Sequence, residues 1–285
     1  MVQDFTLHTH TAGFDGKNTV AEMAACARNM GFGAIGISNH FIVHPNIRNA
    51  NFYSFAVRGG YAGIYQYNFP DILEKYRAHY DEINRVSMDM RMPILRGMEV
   101  DFFDTPHWRN GFEYAVKTLK PDYIIGACHF IEYKGKLCNV HDMAAADQED
   151  MQRMLDAYWA KVRRAAQSGL FTFMAHLDLP KKVGLGMSDE WRATEYDTVS
   201  TLAHSGVGVE INTGLFTDTC YQPYPSPRII SMLARAGVPV VFSDDAHHTS
   251  QIGRSFTRAK LMCDVCGQND YLSLQKILDF SKNTR

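Results

Sequence analysis

The sequence predicts an α/β protein, and more narrowly a distorted seven-stranded (β/α)7 barrel of the TIM type. Short β-rich runs recur along the chain, and each is followed by a stretch with the apolar spacing of a helix. This alternation is typical of parallel βαβ units. Seven such units indicate a closed or nearly closed barrel more readily than two domains, so residues 1–285 are predicted to form a single barrel domain.

The predicted strands are short runs of β-branched, aromatic or small apolar residues. They cover residues 4–8, 34–40, 94–101, 123–130, 172–178, 207–213 and 239–245. The predicted helices are the amphipathic stretches 19–30, 71–88, 147–168, 189–205 and 226–236. Four of them are followed by a glycine, as a helix C-terminus prefers: Gly31, Gly169, Gly206 and Gly237.

One segment, 41–70, is irregular and rich in asparagine, glycine and aromatic residues. Long ordered loops are more often functional than mere spacers, so a lid-like loop is predicted at about 41–70. Its aromatic side chains are expected to pack half-buried, with stacking on an imidazole or a nucleobase as the alternative. They are Phe52, Tyr53, Phe55, Tyr61, Tyr65 and Tyr67.

Composition excludes several classes of protein. The chain has 285 residues, 46% hydrophobic residues and a formal net charge of −2, which argues against binding of long nucleic acids. It has no apolar run long enough to cross a bilayer and no start typical of a signal peptide, so no membrane association and a cytoplasmic location are expected. The six cysteines are scattered and expected to be reduced, and Cys263 and Cys266 are interpreted as helix positions, not as a zinc knuckle.

Histidine and acidic residues follow or close six of the predicted strands. In an α/β barrel these strand ends converge on one face, where the active site is built. His8 and His10 are two residues apart in a strand, so both imidazoles project from the same side. We therefore expect one metal site. Its ligands are His8, His10, Asp15, His40, Glu99, His129, His176, Asp245 and His247.

The ligand types narrow the choice of metal. Imidazole nitrogen together with carboxylate oxygen suits zinc, manganese or iron, whereas an all-oxygen set would suit magnesium or calcium. The set contains no cysteine, which favours an open hydrolytic site over a closed structural one. Nine ligands are too many for one ion, so three divalent transition-metal ions are expected, with a carboxylate bridging two of them.

At these residues the chain resembles the polymerase-and-histidinol-phosphatase (PHP) family, and in particular its stand-alone histidinol-phosphate phosphatase branch. The resemblance extends over nearly the whole chain. It is carried by TLHTHT, FDG, ISNHF, GMEVDF, GACHFI, AHLDLPKKVG, VEINTG, YPSPRIISMLARAGVPV and SDDAHHTSQIG.

The resemblance implies a distribution of the ligands over three ions, with Glu99 as a bridge. Asp245, not Asp244, is selected by the family's Asp-Ala-His pattern. Two departures are visible, since Asn39 replaces the usual aspartate before His40 and no basic residue stands near Phe216. The implied groups are His8, His10, Glu99 and Asp245; then Glu99, His129 and His176; then Asp15, His40 and His247.

The implied activity is hydrolysis of a small phosphorylated substrate, most specifically L-histidinol phosphate, by a metal-bound hydroxide. Two or more ions clamp the attacking and leaving oxygens of an in-line displacement, so no serine or cysteine nucleophile is needed. The catalytic residues are then the ligands Glu99, Asp245 and His247. Candidates for binding the substrate are Arg254, Lys181, Lys182 and His248, with Asp178 as a further candidate beside the leaving group.

Three alternatives remain open from the sequence. A phosphoesterase acting on nucleotides or another small ester would use the aromatic residues of 41–70 to stack a base. An amidohydrolase-type deacylase also begins with His-x-His, but it usually carries a bridging lysine where Glu99 and His129 stand here. A non-catalytic metal-binding protein would hold metal without turnover.

Overall fold

Parallel strands form the frame of the protein in the computed structural model, which describes residues 2–186, 188–216 and 221–283. The strands are short, with two to five residues each. In chain order they are β1 Phe5–Thr6, β2 Ala34–Ile37, β3 His40–Val43, β4 Tyr65–Gln66, β5 Ile94–Arg96, β6 Glu99–Asp101, β7 Ile125–Ala127, β8 Ile131–Tyr133, β9 Lys136–Cys138, β10 Phe173–Met174, β11 Gly208–Asn212 and β12 Val240–Ser243.

The pairing of these strands confirms a distorted seven-stranded barrel. One sheet has the order β1-β2-β5 and a second the order β12-β11-β10-β7-β6-β3-β4, with parallel neighbours throughout. β5 and β6 are two halves of one predicted strand, and the predicted strand 34–40 covers β2 and the first residue of β3, so the sheets continue into each other. Backbone hydrogen bonds from His10 to Ala246 (2.8 Å) and from Ala246 to His8 (3.2 Å) join the segment after β1 to the segment after β12.

The interruptions in the second and third predicted strands have a steric reason. The Tyr123 ring crosses the ring of strands, and its hydroxyl donates a hydrogen bond to the carbonyl of Leu7. A Cβ at Gly36 would lie 2.2 Å from the Tyr123 hydroxyl, and a Cβ at Gly97 would lie 2.2 Å from the ring. Both strands therefore need glycine at this level, and the next strands begin shortly after it, β3 at His40 and β6 at Glu99.

Helices pack around the strands. Side chains satisfy the first backbone N–H groups of several of them, such as Thr19, which forms a capping box with Glu22. All four predicted terminal glycines have positive φ, between 67° and 89°. The helices are α1 Val20–Asn29, α2 Tyr53–Arg58, α3 Phe69–Met90, α4 Pro106–Leu119, α5 Val140–Ala145, α6 Gln148–Gln167, α7 Arg192–Ser205, α8 Pro227–Ala236, α9 Phe256–Val265 and α10 Leu274–Asn283.

The segment 41–70 is not an irregular loop. It contains most of β3, α2, β4 and the short turns Ile47–Asn49 and Ala62–Ile64. Its shape depends on tertiary packing, because Phe52 stacks on Phe130 with 4.7 Å between ring centroids. Among the described residues, no helix is both long and apolar enough to cross a membrane.

Candidate metal centre

Glu99 lies at the middle of the predicted ligand set and is almost completely buried, with 1% of its surface exposed. Its Oε1 atom lies 2.9 Å from Nε2 of His176 and 3.3 Å from Nε2 of His129. Its Oε2 atom lies 2.7 Å from Nδ1 of His40 and 3.4 Å from Nε2 of His8. Both oxygens of one carboxylate therefore face imidazoles from different strands, as a bridging ligand requires.

Asp15 lies close to a second group of imidazoles in the centre. Its Oδ2 atom lies 3.1 Å from Nε2 of His40 and 3.2 Å from Nε2 of His247, and its Oδ1 atom lies 3.3 Å from Nδ1 of His10. The rings of His10 and His247 stack with 4.0 Å between centroids. The loop after β1 and the loop after β12 thus meet at this carboxylate.

Asp245 and its neighbour Asp244 point in different directions. The Oδ1 atom of Asp245 lies 3.2 Å from Nε2 of His10 and 3.6 Å from Nε2 of His8. Asp244 instead accepts a hydrogen bond from the backbone N–H of Gly253 at 2.6 Å. Burial is the main reason that the pKa of the Asp244 carboxyl is raised to about 6. The geometry therefore places Asp245, and not Asp244, among the imidazoles.

All nine predicted ligands are brought together, with two shifts of position. His40 and Glu99 are the first residues of β3 and β6, after the interruptions, and do not close an unbroken strand as the sequence suggested. The groups with ligand atoms within 4.8 Å of one another also divide differently from the implied groups. They are His10, Asp15, His40 and His247; His8, His10 and Asp245; and His40, Glu99 and His129.

The donors fit divalent transition metal. In the described part of the chain, several buried nitrogen and oxygen atoms of these residues have no hydrogen-bond partner. Such groups are costly unless something binds them, and a set of imidazoles and carboxylates suits zinc, manganese or iron. The unpartnered atoms are Nε2 of His8, both ring nitrogens of His10, Oδ1 of Asp15, Nδ1 of His40, Oε2 of Glu99, Nδ1 of His129 and Nδ1 of His176.

Electrostatics in the centre are strongly coupled. Burial alone would raise the pKa of Glu99, but His40, His8 and His129 outweigh it and hold that pKa well below its ordinary value. Burial would likewise lower the pKa of His129, yet Glu99 and Asp101 raise it to about 9. Without metal the cluster therefore balances its carboxylates with protonated imidazoles, and metal would replace protons.

Glu210 forms hydrogen bonds with two of the predicted ligands, and the sequence analysis did not identify it. This buried carboxylate on β11 accepts hydrogen bonds from Nδ1 of His8 (2.8 Å), the backbone of His176 (2.8 Å), the Asn212 amide (2.8 Å) and the Ser243 hydroxyl (2.7 Å). It thereby orients the His8 ring with Nε2 towards Glu99. The available signal was the spacing of Glu210 and Asn212, two residues apart on the inward face of a strand.

Asn39, which stands where the family usually has an aspartate, forms side-chain hydrogen bonds with Thr11 and His79. Its amide donates to the Thr11 hydroxyl and to Nε2 of His79, both at 2.9 Å, and its carbonyl oxygen accepts from the Thr11 backbone at 2.8 Å. Burial, with a smaller contribution from Lys75, lowers the pKa of His79 to about 4, so this imidazole is a neutral acceptor. Asparagine fits here because it can donate to a neutral histidine, which an aspartate cannot do.

A cavity of about 910 Å³ opens in front of the centre. Six of the predicted ligands are among the residues that line it: Asp15, His40, His129, His176, Asp245 and His247. The lining also contains an aromatic wall, defined here as Phe52, Tyr65 and Phe130. Polar residues that the sequence reasoning did not select also line the cavity: Asn51, Asn139, His141, Asp142 and Gln251.

The structure separates the four predicted substrate-binding residues. Arg254 and Lys182 line the cavity. Lys181 does not, because its buried ammonium is held by Asp178 at 3.0 Å and by the Pro223 carbonyl at 2.6 Å. Asp178 forms this ion pair with Lys181 and is likewise not part of the cavity lining.

His248 is the second predicted substrate-binding residue that is not part of the cavity lining. It lies outside the cavity lining, since its Nδ1 accepts the backbone N–H of Ser250 (3.1 Å) at the start of the turn Thr249–Gln251.

Arg254 occupies the region where a basic residue was missing. Its Nη2 donates to the backbone carbonyl of Asp244 at 2.9 Å and would lie 3.2 Å from a Cβ placed on Gly214. The guanidinium therefore borders the segment before Phe216, although it comes from a distant part of the chain. Thr217 lies outside the described residues.

None of the cysteines that the structure describes belongs to the groups of candidate ligands. The five that the structure describes are free, and Cys220 lies outside the described residues. Cys263 is buried in α9 and Cys266 directly follows the helix, in agreement with their interpretation as helix positions. Cys128 is buried in the core beside His129, and burial is the main reason that its pKa is raised to about 12.

Comparison with known proteins gives the family. The PHP domain model matches residues 4–214. A protein of Deinococcus radiodurans named "Probable histidinol-phosphatase" is 31% identical over 199 residues, which are 69% of this chain and 75% of that protein. A protein of the same name from Schizosaccharomyces pombe is 26% identical over 96 residues, only 34% of this chain and 31% of that protein.

A solved structure gives the same fold. The histidinol phosphate phosphatase of Lactococcus lactis, complexed with zinc, L-histidinol and phosphate, superimposes with a TM-score of 0.70 at 18% identity. The match covers 95% of this chain and 96% of that one. From the domain match and the Deinococcus relative together, the chain belongs to the PHP domain family.

Proposed function

We propose that the protein is a metal-dependent phosphomonoesterase that hydrolyses L-histidinol phosphate to L-histidinol and phosphate. The observation that carries this proposal is the convergence of nine imidazole and carboxylate ligands at a cavity whose rim also holds Arg254. The Deinococcus relative supports the substrate, because it is matched over 75% of its length. The ligands named for the Lactococcus structure are those that such a reaction uses and forms.

We propose that the centre holds three divalent ions, which are zinc, manganese or iron, with Glu99 as the bridge. His8, His10 and Asp245 would hold one ion, His129 and His176 a second, and Asp15, His40 and His247 a third. When bound, such ions make water a nucleophile at neutral pH and neutralise charge on a phosphoryl group. We assign Glu99, Asp245 and His247 as catalytic residues in this sense. The whole chain, 1–285, is proposed to act as one domain.

The cations on the cavity rim position the phosphate in this proposal. The Asp244 carbonyl holds Arg254 at 2.9 Å, so the guanidinium is oriented before the substrate arrives. Among the residues that the structure describes, none makes a hydrogen bond with its buried Nε, and guanidinium donors match phosphate oxygens well. Lys182 adds a second positive charge on the same cavity.

Other residues of the cavity lining suit a cationic aromatic alcohol. The aromatic wall offers ring faces to an imidazole, and Asp142 contributes a carboxylate that Asn51 holds at 2.8 Å. Histidinol carries an imidazole and an ammonium group on the alcohol that leaves. Each of these two groups therefore has a counterpart in the cavity lining.

A second candidate substrate is a nucleotide or another small phosphate ester. The observation that favours it is the cavity volume of about 910 Å³, which leaves room for a group larger than an imidazole beside the aromatic wall. A nucleobase would use the same ring faces, but it would not need the carboxylate of Asp142.

A comparison of phosphate release under identical metal loading tests the two substrates. The esters are histidinol phosphate, nucleoside monophosphates, sugar phosphates and an aryl phosphate. We expect kcat/KM for histidinol phosphate to reach about 10⁴ M⁻¹s⁻¹ or more and to exceed the others. Highest activity on nucleotides would favour the second candidate, and activity on the aryl ester alone would contradict both.

Asp142→Asn tests whether this carboxylate binds the leaving group. The change removes the charge and keeps one of the two oxygens that accept from Asn51 and from the Asn139 backbone, so KM for histidinol phosphate should rise several-fold while KM for a sugar phosphate stays the same. Asp147→Asn, at the first turn of α6, is the matched control and should change neither value. An equal rise of KM for both esters would mean that Asp142 acts on the fold and not on the leaving group.

A further inference from the structure

A buried lysine approaches the metal centre from the outer side of the barrel. Lys161 lies on α6 with only 5% of its surface exposed. Its Nζ atom donates to the carbonyl of Phe130 at 2.6 Å and to Oδ1 of Asp101 at 3.3 Å. It also lies over the ring of Phe103, 4.1 Å from the centroid. A buried ammonium is costly without such partners, so this position is specified by the residues around it.

Asp101 connects this lysine to a predicted metal ligand. The Asp101 side chain is fully buried. Its Oδ1 atom accepts the backbone N–H of His129 at 3.3 Å, and its Oδ2 atom lies 3.5 Å from Nδ1 of the same residue. The other ring nitrogen of His129, Nε2, lies 3.3 Å from Oε1 of Glu99. These contacts form one series, called here the line from Lys161 to the centre. In it Lys161 contacts Asp101, Asp101 contacts His129, and His129 contacts Glu99.

We propose that Lys161 is a positioning residue for the metal centre. Its charge keeps the buried Asp101 carboxylate in place. This carboxylate accepts the backbone N–H of His129 and lies 3.5 Å from Nδ1, so it attracts that side of the ring by charge and leaves Nε2 facing Glu99. A carboxylate behind a metal-binding histidine orients the ring and makes it a stronger ligand. The inference rests on the proposed function only in taking His129 as a metal ligand.

The surroundings of Lys161 allow a matched set of variants. A cavity of about 200 Å³ borders the lysine on its outer side, so Lys161→Arg has space for the larger head group. Arg164 lines the same cavity one turn later, but its guanidinium pairs with the exposed Asp104 at 2.7 Å. Arg164→Met therefore removes a neighbouring cation without touching the line to His129.

The experiment measures how firmly zinc is held. Zinc-loaded protein is dialysed against graded concentrations of a chelator, and the zinc that remains per chain is determined by elemental analysis. We expect Lys161→Met to lose its first zinc equivalent at roughly 10–100-fold lower chelator concentration than the unmodified protein. Lys161→Arg and Arg164→Met should retain zinc as the unmodified protein does.

A double variant separates positioning from a general structural effect. If Lys161 acts through Asp101, Lys161→Met combined with Asp101→Asn should lose zinc no more readily than the weaker-binding single variant. Additive losses, or unchanged zinc retention in Lys161→Met, would overturn the proposal. Should Lys161→Met fail to fold, Asp101→Asn decides instead, because unchanged zinc retention there breaks the line.

The zinc measurement does not depend on the substrate. A protein that shows this coupling but hydrolyses no phosphate ester would contradict the proposed function alone. Full phosphatase activity with unchanged zinc retention in the variants would contradict the positioning role alone.

Discussion

At the scale of single residues, the two carboxylate oxygens of Glu99 contact different imidazoles. Oε1 faces His129 and His176, whereas Oε2 faces His40 and His8. Each oxygen therefore serves a different set of imidazoles, and the negative charge is shared between them. Neutralising this side chain should disturb every part of the centre that it connects.

We expect Glu99→Gln to lose at least one metal equivalent and to lower turnover by orders of magnitude, because an amide keeps the size but removes the bridging charge. Elemental analysis and phosphate release measure the two effects. Glu113→Gln, at an exposed ion pair with Arg109, is the matched control and should behave as the unmodified protein. Full metal content and activity in Glu99→Gln would mean that the centre lies elsewhere.

Arg254 allows phosphate binding to be separated from metal binding. Arg254→Gln should lower kcat/KM roughly 10–100-fold, as expected when one hydrogen bond to a charged group is lost, while metal content stays constant. Arg258→Gln is the control, since Arg258 packs over the rings of Phe216 and Tyr221. An unchanged kcat/KM would exclude Arg254 from the phosphate site.

The residues that sequence reasoning found and missed differ in a physical way. His8 and His10 were recognisable because they belong to a joint pattern, in which histidines and carboxylates stand at the ends of six predicted strands. Glu210 and Asp101 contact predicted metal ligands and were not predicted as ligands themselves. The sequence alone does not show which residue an acidic side chain in a short strand will contact. Lys181 was selected for its charge, but its contact with the Pro223 carbonyl depends on a distant segment that the local sequence does not reveal.

At the scale of elements, the contact between Asn39 and His79 joins α3 to the interrupted second strand. Ser38 and Asn39 lie between β2 and β3, where the backbone N–H of Ser38 donates to the Thr9 carbonyl at 2.9 Å and the Asn39 carbonyl accepts the N–H of Glu99 at 3.0 Å. The Asn39 side-chain amide adds hydrogen bonds to Thr11 and His79. This holds the start of β3, and thus His40, at a fixed height in the barrel.

The low pKa of His79 makes this contact sensitive to pH. Burial lowers the pKa to about 4, against an ordinary value near 6.5, so between these values the unfolded chain binds a proton that the folded chain does not. The contribution is present above pH 6.5 and is lost as the pH falls towards 4, by about 3 kcal/mol in total.

We therefore expect the stability difference between the unmodified protein and His79→Gln to shrink as the pH is lowered from about 7.5 to about 5. Urea unfolding of both proteins at the two pH values measures it. His107→Gln, at an exposed position of α4, is the control and should show no such change. A difference that is independent of pH would mean that His79 is not held neutral.

Elements were predictable where periodicity was strong. The predicted helices at 147–168 and 226–236 match α6 and α8 within one residue at either end. Pro106–Leu119 was not included, although its buried residues Trp108, Phe112, Ala115 and Leu119 have helical spacing. The elements within 41–70 could not be predicted, because they depend on contacts such as that of Phe52 with Phe130, far away in the sequence.

At the scale of the whole molecule, the metal centre lies where the barrel closes. Few backbone hydrogen bonds join the segment after β1 to the segment after β12, and they involve His8, His10 and Ala246. His8 and His10 face Asp245 directly, and His10 stacks on His247. An ion held by ligands from both segments would therefore cross-link the seam of the barrel, so metal binding and folding should be coupled.

Metal removal should for this reason destabilise the whole barrel. The purified protein should contain two to three equivalents of transition metal, and at about 100 times its Kd a bound ion contributes about 2.7 kcal/mol. For a chain of this size that corresponds to roughly 5 °C in Tm for each ion, and so to a decrease of roughly 10–15 °C when two to three ions are chelated. Circular dichroism melting curves with chelator, and after zinc is restored, measure it, and Glu99→Gln should show a smaller decrease because it has already lost metal. An unchanged Tm in the fully stripped protein would show that the seam is stable by itself, through the hydrogen bonds between His10 and Ala246 and between Ala246 and His8.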